Sequence, residues 1–104
     1  MRHFKYNDYF IMQGSILSVY VIDARDLKPF SGVGAATPQV RLQIEGQSAK
    51  TQQISGTNEP VWDEVIIFDI RRGEEPLKVI LYDVARNGTR NPIGYAKVDL
   101  RTLS

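Results

Sequence analysis

The sequence predicts an all-β protein, an antiparallel sandwich of about seven to eight strands. Three observations carry the prediction. From Gly14 onward, apolar residues recur with a period of two, the spacing of strands that bury one face. Clusters of Gly, Pro, Asn, Asp and Ser separate those runs. No stretch of useful length carries an apolar stripe at helical spacing.

Residues 1–13 hold Phe4, Tyr6, Tyr9 and Phe10, four of the chain's ten Phe, Tyr and Trp residues. We expect a strand through about Tyr9 to Met12 that completes the sandwich, with the core proper at residues 14–104. His3 stands there alone and reads as solvated. Leu17, Val19 and Val21 form the first inward set, and Lys28 to Pro38 a glycine-containing loop. Val40, Leu42 and Ile44 follow, with Arg41, Gln43 and Glu45 outward and a turn at Glu45 to Ser48. After the turn Ser55 to Pro60 come Trp62, Ile66, Phe68 and Ile70; after Arg71 to Pro76 come Leu77, Val79 and Leu81. The turn Ala85 to Pro92, with Asn87-Gly88 inside it, leads to Ala96, Val98 and Leu100.

The chain's 104 residues fit one domain. With 42% hydrophobic and 24% charged residues the composition is that of an ordinary globular protein, and a net charge of +1 gives no global attraction to nucleic acid or membrane. Any electrostatic function must be local. There is no cysteine, which removes disulfides and thiol chemistry and leads us to expect a cytoplasmic chain. Neither a signal peptide nor an apolar run of spanning length appears, so a membrane would be met from its surface. No nucleophile with a base, metal cluster or cofactor fingerprint can be assembled, so we expect no enzyme and no cofactor. Balanced charge without an aromatic-basic platform argues against nucleic acid.

Three stretches occur in a telling order: GSILSVYVIDARDL from Gly14 to Leu27, TNEPVWDE from Thr57 to Glu64, and LYDVARNGTRNPIG from Leu81 to Gly94. Together they resemble the C2 domain, a β-sandwich that binds calcium and lipid in signalling and trafficking proteins. The resemblance implies a C2-type sandwich and a weak strand over Lys50 to Ile54. In calcium-binding members, aspartates occupy two places in the first loop and three in the third; this sequence has Ser31, Thr37, Asp83, Ala85 and Asn91 there. Calcium takes 6–8 oxygens, and its affinity follows the number of charged ones. With one carboxylate left, opposed by Arg86 and Arg90, the resemblance is to the calcium-independent branch, and Asp83 reads as a relic or as an acceptor that braces the loop.

Lys28, Arg86 and Arg90 against Asp83 sum to a local charge of +2. Phe30 and Val33 lie where family members carry apolar residues that dip into headgroups. These five residues, Lys28, Phe30, Val33, Arg86 and Arg90, are the expected lipid site, and Arg41 and Lys50 a thin secondary basic surface. The expected function is calcium-independent attachment to anionic phospholipid by a non-catalytic module, which would place the chain at the cytoplasmic face of membranes.

The alternative is a scaffold for protein contacts. Val65 and Ile67 face outward by alternation, as do Ile80 and Tyr82, and Tyr9 and Phe10 join them as partner-binding candidates. C2 domains have eight strands, whereas the pattern after Gly14 supplies six; either the N-terminal segment fills the closing slot or an edge stays open to a partner or a second copy. Asp63-Glu64 and Glu74-Glu75 are consecutive, so along a strand they point to opposite faces and form no catalytic pair. Asp63 and Glu64 are expected to brace the turn around Pro60 and Trp62.

Overall fold

The computed structural model describes residues 4–103, and the alternating runs become seven strands: β1 Lys5–Gln13, β2 Ile16–Arg25, β3 Pro38–Ile44, β4 Gln47–Lys50, β5 Val61–Asp69, β6 Leu77–Val84 and β7 Arg90–Val98. A short 3-10 turn, Leu100–Leu103, follows. The strands form two antiparallel sheets, one ordered β1-β2-β5 and the other β4-β3-β6-β7. Their inner faces supply one core, in which Leu17, Val19, Val21, Val40, Leu42, Leu77 and Val79 meet Trp62, Phe68 and Leu81. His3 lies outside the described residues.

The N-terminal segment is a strand, longer than expected, paired along its whole length with β2. The two join through Gly14-Ser15, where Gly14 takes a φ of 61° that a side chain would resist. Burial alternates along β1, with Tyr6, Asp8, Phe10 and Met12 turned inward. Phe10 therefore packs against the core and is not available as an outward partner-binding residue. Tyr9 faces out and stacks on Tyr20, with ring centroids 4.3 Å apart.

The weak strand needs correcting. It lies at Gln47–Lys50, and the hairpin turn before it is only Glu45-Gly46. Both turn residues have positive φ, 47° and 76°, the conformation of the tight hairpin turn whose twist matches its strands. Residues 51–54 instead run as a hydrogen-bonded loop, with Thr51 N–H donating to the Val40 carbonyl and Ile54 N–H to that of Pro38. The last turn is also tighter than expected: β7 begins at Arg90 and takes in Pro92.

Glu45 adopts an unfavourable backbone conformation for a non-glycine residue, and its side chain shows what is gained. Its carboxylate accepts the N–H groups of Arg71 (2.7 Å), Arg72 (3.0 Å) and Gly73 (2.8 Å), closing the β5–β6 loop onto the β3–β4 turn. The Arg71 and Gly73 bonds, more than any other influence, hold the Glu45 carboxyl below its ordinary value of 4.5. Because the folded value lies below the unfolded one, the stabilisation is full at neutral pH and is lost as pH falls through the folded value. Glu45→Gln is expected to lower Tm at pH 7 and to match the wild-type Tm more closely in acid; an equal deficit at both pH values would refute the carboxylate's role.

Three strands face four, and this leaves a seam. Among the described residues the edge of β1 away from β2 has no strand partner. Opposite it, Ala96 is exposed although its register with Val79 puts it on the inner face, which corrects its expected burial. An apolar groove of about 150 Å³ lies between, lined by Phe4, Tyr6, Val79, Leu81, Gly94, Tyr95 and Ala96. A Cβ on Gly94 would come within 2.8 Å of the Phe4 ring, so the strand needs glycine for that ring to sit as it does. The Tyr6 hydroxyl is buried here without a partner at hydrogen-bonding geometry. Burial foremost, then the charge of Asp8 and a loose contact with it, keeps that hydroxyl protonated.

Candidate functional site

The β2–β3 loop projects from the end of the sandwich where β6 and β7 also meet. Asp83, near the end of β6, reaches across to it: its two carboxylate oxygens accept the N–H groups of Phe30 and Thr37, each at 2.9 Å. Of the two readings of Asp83, the bracing one matches the geometry. Ser31 Oγ donates to the Val33 carbonyl, closing its own turn. Thr37 Oγ1 accepts from Gly56 N–H, and Asn91 pairs with Asp83 in the β6–β7 ladder. Ala85 closes the β6–β7 turn, its N–H donating to the Thr89 carbonyl and its carbonyl accepting from Gly88 N–H. The five degenerate positions thus serve the loop framework, and no group of three or more His, Cys, Asp or Glu fit for a metal occurs among the described residues.

On the loop's other side, the Asn58 side chain accepts from Ala36 N–H (2.8 Å) and donates to the Gly34 carbonyl (3.1 Å). The TNEPVWDE stretch therefore does more than turn the chain. Glu64 from the same stretch accepts Gln52 N–H, and the Trp62 indole N–H donates to the Gln52 carbonyl, so Glu64 secures the 51–54 loop beside β5. Between these clamps the loop tip stands out: Phe30 is 62% and Val33 76% exposed. Phe30 does not fold back onto the sandwich.

Charge at this pole is distributed differently from the linear sum. Lys28 borders a shallow depression with Asp26 and Glu59, two acids that the sequence count left out. Arg86 stays exposed in the β6–β7 turn, but Arg90 belongs to β7, and its Nε donates to Gln39 Oε1 at 3.0 Å. With Arg90 on the sheet, Lys28 and Arg86 against Asp26, Glu59 and Asp83 leave the pole without the positive excess of the linear sum.

The positive surface lies on the outer face of the second sheet. Cross-strand register lines up Lys50, Arg41, Ile80 and Tyr95 in one row, and Ser48, Gln43, Lys78 and Lys97 in the next. Arg90 adds a fifth cation through its bond to Gln39. Asp83 is the one carboxylate within these four strands, and it is bound to the loop; Glu75, from the β5–β6 loop, borders the face beside Arg41 and Lys78 and accepts Glu45 N–H. Lys78 and Lys97 were legible as outward residues of alternating strands but were not connected to Arg41 and Lys50, because register is not visible in a linear sequence. The basic surface is broader than expected.

Two of the row contacts, Arg41 with Lys50 and Lys78 with Lys97, place like charges directly opposite each other. Such pairs destabilise a sheet locally. Ile80 and Tyr82 sit half-buried among these cations, on the opposite side of the molecule from Val65 and Ile67. The four are not one patch. Val65 and Ile67 instead join Tyr9, Tyr20, Ile11 and Ile16 across the outer face of β1-β2-β5, in the rows Tyr9–Tyr20–Val65 and Ile11–Ser18–Ile67. No helix among the described residues is long and apolar enough to cross a membrane.

The family model of the C2 domain matches residues 15–104. The human RasGAP-activating-like protein 1 is 34% identical over 92 residues, covering 88% of this chain and 11% of that protein. Multiple C2 domain and transmembrane region protein 2 of Arabidopsis thaliana is 31% identical over 90 residues, covering 81% of this chain and 9% of that protein. The chain spans about a tenth of the length of these curated relatives. Among solved structures, a C2 domain of RIM from Drosophila superposes with a TM-score of 0.75 at 21% identity, covering 94% of this chain and 83% of that one. The calcium-bound pair of C2 domains of Extended-Synaptotagmin 2 superposes with a TM-score of 0.76 at 21% identity, covering 90% and 37%. At such identity these two likenesses speak to the fold, which agrees with the two-sheet sandwich described above. With the matching model spanning nearly the whole chain, this protein belongs to the C2 domain family.

Proposed function

We propose that this C2 domain, a non-catalytic module, attaches to anionic phospholipid surfaces without calcium, chiefly through the outer face of β4-β3-β6-β7. C2 domains are in general membrane-binding modules, so the family supplies the class of ligand. The observation that carries the finer reading is the pair of like-charge contacts, Arg41 with Lys50 and Lys78 with Lys97. An isolated domain gains nothing from them, whereas a polyanionic surface relieves the repulsion and is attracted by it. Lys28, Arg86 and the exposed Phe30 and Val33 form a second, smaller contact at the adjoining pole.

Magnitudes set the strength. Each basic residue near an anionic surface contributes about 1 kcal/mol, and partly burying Phe30 about 1–2 kcal/mol more. Five cations and the tip amount to roughly 6–7 kcal/mol gross, a dissociation constant in the tens of micromolar before any cost of association. Stable attachment then calls for a second anchor in the same assembly.

Calcium independence rests on Asp83, whose two oxygens are already engaged by backbone donors. The test is co-sedimentation with phosphatidylserine vesicles in calcium and in chelator, at low and high salt. Equal binding in both, weakened by salt, is expected; binding only with calcium would overturn the reading of Asp83.

A second reading is favoured by one observation, the neighbouring rows Tyr9–Tyr20–Val65 and Ile11–Ser18–Ile67 on the opposite sheet, apolar except at Ser18. Exposed apolar residues that are contiguous mark interfaces. A domain held to lipid by its basic face would leave this sheet turned away from the membrane, free for a protein. Deleting the N-terminal residues is a poor test, since β1 contributes Phe10 and Met12 to the packing; Ile11→Lys with Ile67→Lys tests the surface itself.

A further inference from the structure

We infer that Asp83 and Asn58 are positioning residues that hold the Phe30–Val33 tip in an insertion-ready shape, so that a carboxylate and an amide do within the chain what bound metal does for a loop with empty acidic sites. The inference rests on the membrane reading above and goes beyond it, because it assigns the affinity of the tip to residues that touch no lipid.

The loop runs ten residues from Lys28 to Thr37 and carries Gly32 and Gly34 at φ 86° and 79°. A glycine-containing loop of that length has many conformations to lose. Here both its legs are tied. Asp83 binds Phe30 N–H with Oδ2 and Thr37 N–H with Oδ1, and the neighbouring Val84 N–H donates to the Thr37 carbonyl at 2.9 Å. Asn58 binds Ala36 and Gly34 from the other side, while Thr57 N–H donates to the Ala36 carbonyl and Leu27 N–H to the Asn58 carbonyl. Inside the ties, Gly32 N–H donates to the Pro29 carbonyl at 2.9 Å and closes the tip turn. The two apolar side chains at the turn face solvent, where they contribute nothing to the core. Ala36 is buried at the base of the loop, but the tip from Phe30 to Ala35 is exposed throughout, so order has been imposed on a tip that gives the fold no packing in return.

A preformed loop binds with more of its intrinsic affinity, because apparent affinity scales with the populated fraction of the competent state. Releasing one leg so that the competent shape falls to about a tenth of the population raises the apparent dissociation constant roughly tenfold. The same geometry gives the loop less need of calcium: an ion at Asp83 would share its oxygens with two N–H donors and would meet no second carboxylate among the five loop positions.

The experiment is a double-mutant cycle on vesicles of phosphatidylserine and phosphatidylcholine, using wild type, Asp83→Ala, Phe30→Ala and the double variant, with Tm recorded for each. At a salt concentration that screens the lost carboxylate charge, Asp83→Ala is expected to weaken binding roughly tenfold, with little further loss when Phe30 is already alanine, since Asp83 acts through that side chain. Asp83→Asn, which keeps one acceptor oxygen, is expected to fall between, and it serves the same cycle if the alanine variant does not fold. Amide exchange at Phe30 and Thr37 is expected to accelerate in Asp83→Ala while core strands stay protected. Full Asp83→Ala loss in the Phe30→Ala background, or unchanged affinity in Asp83→Ala where Phe30→Ala weakens binding, would overturn the positioning role alone. Unchanged binding in Phe30→Ala would remove the tip from the membrane reading, and the positioning role would fall with it.

Discussion

The double variant Lys50→Glu, Lys97→Glu is expected to lose vesicle binding while becoming more stable. Each substitution turns a like-charge cross-strand contact into an opposite-charge one, with Arg41 and with Lys78 respectively. Opposite-charge pairs on a sheet contribute roughly 0.2–1 kcal/mol each, and removing the repulsion adds a similar amount. Meanwhile the five cations of the face are reduced by four units of charge. At about 1 kcal/mol per charge near an anionic surface, that weakens binding on the order of a thousandfold. The two readouts move in opposite directions, so a misfolded variant cannot mimic the result. Thermal denaturation and vesicle co-sedimentation on the same preparations decide it. Retained binding would shift the membrane contact to the loop pole alone, and a lowered Tm would mean that the cross-strand contacts are not felt.

Trp62→Ala is expected to be the most damaging single change to the fold. The indole is 6% exposed, meets the Tyr6 ring edge-on at 6.4 Å and donates its N–H to the Gln52 carbonyl at 3.1 Å. It therefore joins three parts of the domain: β5, the inward face of β1 and the loop at 51–54. Truncating a buried tryptophan costs about 3–5 kcal/mol from lost packing and the cavity left behind. For a domain of this size each kcal/mol lowers Tm by about 4–8 °C. Trp62→Phe keeps the ring and loses the donor, leaving the Gln52 carbonyl to find water, and is expected to cost about 1–2 kcal/mol. Equal losses for Phe and Ala would make the hydrogen bond, and not the packed ring, the larger contribution. The Tm of both variants, read with the near-ultraviolet dichroism of the tyrosines, separates the two contributions.

These expectations draw unequally on sequence and structure. The inward sets at 17–21, 40–44, 77–81 and in the Trp62 strand were legible because period-two alternation is a local property, set by the geometry of a single strand. The glycine and proline clusters located the connections for the same reason. The weakest element was misplaced by a few residues: Gln47–Lys50 has little apolar content, and its strand exists because β3 offers a ladder to it. The loss of four of five acidic calcium positions could be read directly, yet the sequence left open whether Asp83 was a relic. That was decided by two backbone N–H groups 53 and 46 residues away along the chain.

The sequence by itself pointed to an all-β sandwich of the C2 type, to most of the residues that line its core, and to first and third loops that keep one carboxylate at the five acidic positions of the calcium-binding members. Each of these depends on residue identity and short-range spacing. Only the tertiary structure decided which outward residues share a surface. It moved Arg90 from the loop to the sheet, added Lys78 and Lys97 to Arg41 and Lys50, offset the pole's charge with Asp26 and Glu59, and separated Ile80 and Tyr82 from Val65 and Ile67. The physical reason is that a surface patch is built by strand register and sheet order, and these bring together residues whose separation along the chain carries no trace of the contact.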